Sequence, residues 1–521
     1  MKGPASRVGA HHRATTAAPG AETWDLHLAD EAATGALAAD VSRALKPGDI
    51  VTLTGDLGAG KSSFARALVR ARAGDPELEA PSPTFTLLQI YDLPRGPVVH
   101  ADLYRLTSPE ELDELGWEEA GEDAIVLVEW PDRLGAGLPE DRLDLSLEIA
   151  PGGGRRARLT GFGAFGPRLA RLRDGRRFVD AAGWGDATRE HVQGDASSRL
   201  YERLTLGRRT AILMDAPPRP AGPPLADGRS YLSVARLAAD VTPFVAVADG
   251  LRKLGYAAPQ IYAQDLANGF LLVEDMGFEP VVAGGQPIAS RYELATDLLA
   301  DLHGRDAPAD LAVGRELYRV PPYDLSAMLV ECELFTDWHM PHVTGVSPEP
   351  ETREAFRTLW RAALEPVLAG PQTWTLRDYH SPNLTWRDGH EGFGRLGLLD
   401  FQDMVMGPPA YDVVSLLQDA RVDLPDGLEL ALAARYLDAR RRADIGFDPA
   451  AFARAYATMG AQRATKILGV FVRLAKRDGK PGYLKHLPRV RRALIANLAH
   501  PDLADLAAWY AENAGVTETP Q

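Results

Sequence analysis

The sequence predicts two domains in series, an α/β domain built on parallel strands and, after it, a two-lobed α+β domain. Three observations carry this. The chain has 521 residues, more than one hydrophobic core ordinarily serves. A glycine-rich segment, Gly55-Asp56-Leu57-Gly58-Ala59-Gly60-Lys61-Ser62, lies between a β-rich run, Ile50–Leu53, and a stretch of helical spacing, Ser63–Arg72. Far downstream, apolar strand-like runs lead into acidic residues at Glu274, Asp378 and Asp400.

Composition sets the outer limits. At 45% hydrophobic and 25% charged residues, this is the make-up of a soluble globular protein, with no apolar run long enough to span a bilayer. Residues 1–22 carry basic residues but no apolar core for a secretory signal, and read as a disordered tail. A single cysteine, Cys332, leaves no internal disulfide framework and suits a reducing cytoplasm. Domain boundaries are expected at 23–165, a polar, Arg-rich linker at 166–177, and 178–521, the last dividing into lobes at about 178–276 and 277–521.

Charge is uneven. Residues 1–165 hold 16 Lys and Arg against 26 Asp and Glu, while the remainder holds 41 against 46. An acidic first domain is a poor direct ligand for nucleic acid, because neutralising phosphates takes clustered Lys and Arg. Glu110–Asp123 has eight acidic residues and no basic one. It reads either as a solvated helix face or as a docking surface for a basic partner protein.

The strand–loop–helix context of Gly55–Ser62 is that of a P-loop. Its glycines let backbone N–H groups turn inward around phosphates, and the helix N-terminus adds a favourable dipole. Gly55, Asp56, Leu57, Gly58, Ala59 and Gly60 thus form the cradle, Lys61 reaches the β- and γ-phosphates, and the Ser62 hydroxyl ligates Mg²⁺. Ala124–Val128 reads as a buried parallel strand with Glu129 at its carboxyl end, where α/β sheets expose functional groups. Val98-Val99 leads to a second carboxylate, Asp102. A helix cap or a plain surface residue is the alternative for each. No Asn-Lys-x-Asp guanine-reading segment is present, which counts against a GTPase.

Gly55–Ser62, Ser82-Pro83-Thr84-Phe85-Thr86, His100–Leu106 and Val128-Glu129-Trp130-Pro131 together resemble the four characteristic segments of TsaE, the small ATPase of bacterial tRNA threonylcarbamoyladenosine synthesis. The resemblance spans the whole first domain. It implies a P-loop NTPase fold, ATP as nucleotide, Thr84 in a nucleotide-sensing switch, and Asp102 and Glu129 assisting Mg²⁺ and water. Trp130 and Tyr104 would line the same cleft. It also implies service to a TsaD–TsaB complex, with tRNA touched only indirectly. Ser62 stands where the family commonly has threonine and keeps the metal-ligating hydroxyl.

In the second domain, Gly194–Arg199 lies between β-like runs, His191-Val192 and Leu200-Tyr201. A small-residue loop there suits ATP phosphates, with Ser197, Ser198 and Arg199 as contacts, although an ordinary turn has the same composition. Phe270–Val273 is a buried strand ending in Glu274-Asp275-Met276-Gly277, the place where a kinase hinge holds adenine by its backbone. Trp374–Asp378 puts a carboxylate after a strand, and Asn383 follows five residues later. Phosphoryl transfer to a hydroxyl needs a base beside that hydroxyl and metal ligands beside the base. Asp378 suits the first task, and Asn383 with Asp400 the second.

This half resembles the aminoglycoside-phosphotransferase-like kinases, which implies a two-lobed protein-kinase-like fold. Ala211–Pro218, Leu376–Leu384, Gln462–Gly469 and Arg473–Lys480 narrow the resemblance to the anomeric N-acetylmuramate/N-acetylglucosamine kinases of cell-wall recycling. It implies Asp378 as the base for a sugar hydroxyl, Mg²⁺ on Asn383 and Asp400, and Asp412 as a brace of the catalytic loop. One departure stands out: the third-strand lysine of protein kinases falls at Met214, and a thioether cannot hold a triphosphate. Arg199 or Lys253 would have to fill the gap, or this half binds nucleotide without turning it over and regulates the first. A kinase for another alcohol, such as an aminoglycoside or choline, is the remaining alternative.

Overall fold

Ile50–Thr54, Val98–Asp102 and Ile125–Glu129 are short, almost wholly apolar runs, and in the computed structural model they pair in parallel. Runs of this kind are stable when both faces of the sheet are covered. The structure describes residues 21–83, 86–106, 121, 123–134, 137–192, 199–225 and 227–516. Thr84, Ser197, Ser198, nearly all of the acidic run 110–123 and residues 1–20 of the expected tail lie outside them. Two units are formed, Met1–Gly185 and Asp186–Gln521.

The first unit is one seven-stranded sheet of β1 (Glu22–Leu28), β2 (Ile50–Thr54), β3 (Leu88–Tyr91), β4 (Val98–Asp102), β5 (Ile125–Glu129), β6 (Arg142–Ile149) and β7 (Arg155–Phe162), in the order β1-β7-β6-β2-β5-β4-β3. The parallel centre places the carboxyl ends of β2, β4 and β5 side by side, with Leu53 and Asp102 both in register with Glu129. Helices α1 (Glu31–Ala44) and α2 (Lys61–Ala73) pack against each other over a core that includes Leu37, Val41, Phe64 and Leu68. Burying each of the larger aliphatic side chains is worth about 1.5–3 kcal/mol. Residues 150–154 join β6 to β7.

Residues 166–177 are not a linker. They form most of a helix, α3 (Phe165–Ala181), which packs on β1, β7 and α1 with Phe165, Leu169 and Val179 buried. The arginines that make the stretch look like solvated linker are ion-paired to the rest of the unit. Arg168 donates to Asp49 at 2.7 Å, Arg173 meets Glu22 at 3.0 Å, and Arg176 meets Asp40 at 3.2 Å. The second unit accordingly begins at Asp186 rather than at 178.

That unit opens on an antiparallel five-stranded sheet. Its strands are β8 (Thr188–Val192), β9 (Leu200–Leu206), β10 (Arg209–Asp215), β11 (Ile261–Asp265) and β12 (Phe270–Val273), in the order β11-β12-β10-β9-β8. Helix α4 (Thr242–Lys253) lies between β10 and β11 in sequence. The rest is mainly helical, and the longest helix, Pro449–Lys476, packs on Leu325–Leu334, Ala410–Leu417 and Leu487–Leu498. One continuous apolar core runs from Met214 and Leu271 in the sheet to Trp509 and Tyr510 near the end of the chain.

Candidate active sites

The glycine-rich loop connects β2 to α2 as its spacing requires. Gly55 has φ +140°, and a Cβ there would meet the Leu147 carbonyl oxygen at 2.3 Å, so no other residue fits without moving β6. Lys61, the first residue of α2, is buried, and its Nζ donates to the carbonyls of Gly55 at 2.7 Å and Asp56 at 3.0 Å. The ammonium also lies 4.1 Å from the centre of the Trp130 ring. Burial lowers the Lys61 pKa, against the opposing pull of Glu129 and Asp102.

The neighbouring side chain, Ser62, donates its hydroxyl to Glu129 Oε2 at 3.0 Å. The other Glu129 oxygen lies 3.0 Å from His100 Nε2. Asp102 sits at the end of the adjoining strand, accepts the Tyr104 amide at 3.1 Å, and has its pKa raised by burial and by the nearby Glu129 carboxylate. Tyr104 and Trp130 pack ring to ring at 5.1 Å. Lys61, Ser62, Asp102, Glu129, Tyr104 and Trp130 are therefore brought together as expected.

Two contributors were not singled out from sequence. His100, two residues before Asp102 on the same strand face, holds Glu129; the strand alternation was the available signal. Arg155 on β7 donates Nε to the Ala59 carbonyl at 2.7 Å and a terminal nitrogen to Gly58 at 3.2 Å, bracing the cradle from behind. No local pattern marks Arg155, because its partners lie almost a hundred residues away.

In the second unit, Asp378 lies on a loop pinned from below. Asp412, fully buried, accepts the backbone N–H groups of Leu376 at 2.7 Å and Arg377 at 2.9 Å. Arg377 takes φ +67°, a sparsely populated conformation that the surroundings enforce. Its buried guanidinium is ion-paired to Glu331 and donates to the carbonyl of Ala235 at 3.0 Å. Lys466 reaches the same Glu331 at 2.8 Å, and Gln462 donates to it at 3.1 Å. This fixes the backbone that leads into Asp378.

Asn383 donates its side-chain amide to the Asp378 carbonyl at 2.9 Å, closing the loop. Asp400, also at positive φ (+55°), accepts from Gln402 at 2.8 Å and from Arg199 at 3.1 Å. The two carboxylates are driven apart. Burial would raise Asp378, but His380, Lys466, Arg377 and Arg463 together hold it below its ordinary value. Asp400 is raised by burial and by the charge of Asp378, with Arg199 and Gln402 opposing. One acid is thereby kept ionised next to another that is electrostatically strained, an arrangement suited to a base beside a cation site.

Met214 lies in the core, paired across β10 with Tyr201 and Leu271. Of the cations expected to replace a strand lysine, Arg199 is engaged with Asp400, and Lys253 is exposed in the last turn of α4. At the strand end after β12, Glu274 donates its amide to the Gln260 carbonyl at 2.8 Å, and its carboxylate meets Arg387 at 2.7 Å. Met276 is buried with its methyl against Gly397.

Comparison with known proteins follows the same division. Residues 28–157 match the family "Threonylcarbamoyl adenosine biosynthesis protein TsaE", and residues 188–445 match "Phosphotransferase enzyme family". The chain is 36% identical over 345 residues to an N-acetylmuramate/N-acetylglucosamine kinase of Caulobacter vibrioides, covering 64% of this chain and 94% of the relative. It is 35% identical over 334 residues to the protein of that name from Pseudomonas aeruginosa, covering 63% and 89%. To the tRNA threonylcarbamoyladenosine biosynthesis protein TsaE of Rickettsia felis it is 43% identical over 124 residues, covering 24% and 72%.

Proposed function

We propose two activities for this chain, which belongs to the TsaE family through its first unit and to the N-acetylmuramate/N-acetylglucosamine kinases, within the phosphotransferase enzymes, through its second. The first unit is an ATPase that supports tRNA threonylcarbamoyladenosine formation. The second transfers the γ-phosphoryl group of ATP to the anomeric hydroxyl of an amino sugar. The observation that carries this is the convergence, in each unit, of carboxylates and hard oxygen donors suited to phosphoryl transfer at one sheet end or loop.

In the first unit, Lys61 exchanges its two loop carbonyls for phosphate oxygens, and Arg155 keeps the cradle from collapsing. Ser62 and Glu129 are adjacent hard oxygen donors of the kind Mg²⁺ takes. His100 orients Glu129, and Asp102 lies close enough to assist the attacking water. The partner we infer is a TsaD–TsaB-type complex, and the acidic surface supports indirect contact with tRNA.

In the second unit, Asn383 and Asp400 likewise supply oxygens that fit Mg²⁺; the Asn383 amide nitrogen is used within the loop, which turns its oxygen outward. Mg²⁺, when bound, offsets the phosphate charge and relieves the strain between Asp378 and Asp400. Asp378, held ionised, accepts the proton of the anomeric hydroxyl as its oxygen bonds to the γ-phosphorus and the bond to the ADP oxygen breaks. Residues 194–199 cover the nucleotide and the Glu274–Met276 strand end holds its base. No helix among the described residues is long and apolar enough to cross a membrane; we place both activities in the cytoplasm, where their substrates occur.

The test uses the full chain carrying Lys61→Ala, which silences the first site, with ATP, Mg²⁺ and a panel of amino sugars, aminoglycosides and choline. Phosphorus NMR should show an anomeric phosphate, and Asp378→Ala should lower the rate by about 10³-fold, within the range for loss of a general base. The nucleotide-binding regulatory reading, favoured by the buried Met214, wins instead if no acceptor is phosphorylated and Asp378→Ala changes nothing.

A further inference from the structure

A cavity of about 440 Å³ lies between the helices Pro449–Lys476 and Leu487–Leu498, walled on its third side by residues 417–424. That is the size of a small-molecule site. It shares a wall with the catalytic loop: Asp419, which lines it, accepts the backbone N–H of Ser381 at 3.0 Å and the Ser381 hydroxyl, three residues beyond Asp378.

The charged groups lining the cavity have partners among the described residues, with a single exception. Arg489 and Arg492 both pair with Asp423, Arg489 also donates to the Ala420 carbonyl, and Glu429 accepts from Tyr456. Arg463 also lines the cavity, is only 6% exposed, and makes no hydrogen bond or ion pair among the described residues. An unpaired guanidinium on a cavity wall offers a rigid fork of donors, and that fork is matched by a carboxylate.

We propose that Arg463 is the carboxylate-recognising residue of the acceptor site, taking the lactyl acid of N-acetylmuramate while the anomeric hydroxyl lies at Asp378. The inference rests on the kinase function proposed above and adds a specificity determinant to it. N-acetylglucosamine has the same ring and anomeric centre but no acid, so it gains nothing from Arg463. The guanidinium also helps to keep Asp378 ionised, an effect common to both sugars. The ratio of kcat/KM for the two sugars therefore isolates the recognition.

The experiment measures that ratio in the full chain and in its Arg463→Gln variant. Loss of one charge-assisted bidentate contact should reduce the preference for N-acetylmuramate by about 30- to 100-fold, mostly as a rise in KM. An equal loss for both sugars, or no loss, overturns the inference and leaves the kinase reading intact. Absence of turnover of either sugar by the unaltered chain overturns the kinase reading, and the inference with it. Arg463→Lys, which keeps the charge but not the fork, should lower the ratio about tenfold and carries the test if Arg463→Gln does not fold. Thermal unfolding with N-acetylmuramate, sodium lactate or inorganic phosphate at equal concentration separates the sources of an anion. Protection by the sugar acid, absent in Arg463→Gln, supports the assignment, and protection by phosphate alone overturns it.

Discussion

Asp378 and Asp400 have the same side chain and opposite tendencies, because His380, Lys466, Arg377 and Arg463 outweigh burial at the first, while burial and the charge of Asp378 outweigh Arg199 at the second. The second unit uses the same physics elsewhere for stability. His339 is buried, its ring stacked on Phe335 at 4.9 Å and its Nδ1 without a hydrogen bond, and burial, with His342 and Arg491 adding to it, pushes its pKa down to about 4. A folded-state pKa below the unfolded value of about 6.5 means the unfolded chain binds the proton first. The stabilisation is full above that value and is lost as pH falls toward 4, on the order of 3 kcal/mol for this one group. His380 and His303, also lowered by burial, act in the same direction. Melting temperature of the second unit should therefore fall steeply between pH 6.5 and 4, and His339→Leu should flatten that decline. A variant with an unchanged slope would assign the acid limb to other groups. At this scale the sequence was legible wherever spacing along the chain encodes local structure: Gly55–Ser62 joins a strand to a helix, Glu129 ends a buried strand, and Asp378 and Asp400 each follow a short one. Arg155 was not, and the part His100 plays within its segment was not, since their partners are supplied by distant strands and loops.

At the scale of elements, the strands that carry the chemistry were readable because buried parallel strands are continuous apolar runs, as in Ile125–Glu129. Helix α3 was not, for a physical reason. Its apolar face is narrow, Phe165, Leu169 and Val179, and it carries five arginines that look solvated but are ion-paired in part to carboxylates of α1, β1 and the turn before β2. A pattern of mixed charge reads as linker when the opposing carboxylates are far away in sequence. The consequence is measurable. A chain ended at residue 165 removes α3, exposes the outer faces of β1 and β7, and leaves Asp40 and Asp49 without Arg176 and Arg168. A chain ended at Gly185 keeps them. The longer piece should unfold cooperatively and hydrolyse ATP, whereas the shorter one should melt about 5 °C lower or more, or be insoluble, which is about what loss of 2 kcal/mol does to a domain of this size. Equal melting temperatures for the two pieces would mean that α3 is a passive appendage.

For the whole molecule, the central question is whether two ATP sites on one chain form one machine. Each unit has its own apolar core: Leu53, Phe64 and Leu145 belong to the first, and Met214, Trp360 and Leu468 to the second. Each also supplies its own phosphate cradle or catalytic loop and its own carboxylates. A phosphoryl-transfer site that is complete within one core needs nothing from another to perform its chemistry, and coupling would require an element with two arrangements that both ligands bias. The expectation is therefore independence. Lys61→Ala should lower ATP-dependent tRNA modification by about 10²-fold or more, the usual scale for removing a preorganised charge from a phosphate site, and leave sugar phosphorylation within twofold. Asp378→Ala should do the reverse. Calorimetry of the full chain should resolve two transitions, with the amino sugar raising only the one that belongs to residues 186–521 by mass action. If Lys61→Ala suppresses both activities, or the sugar raises both transitions together, the fusion is a coupled device.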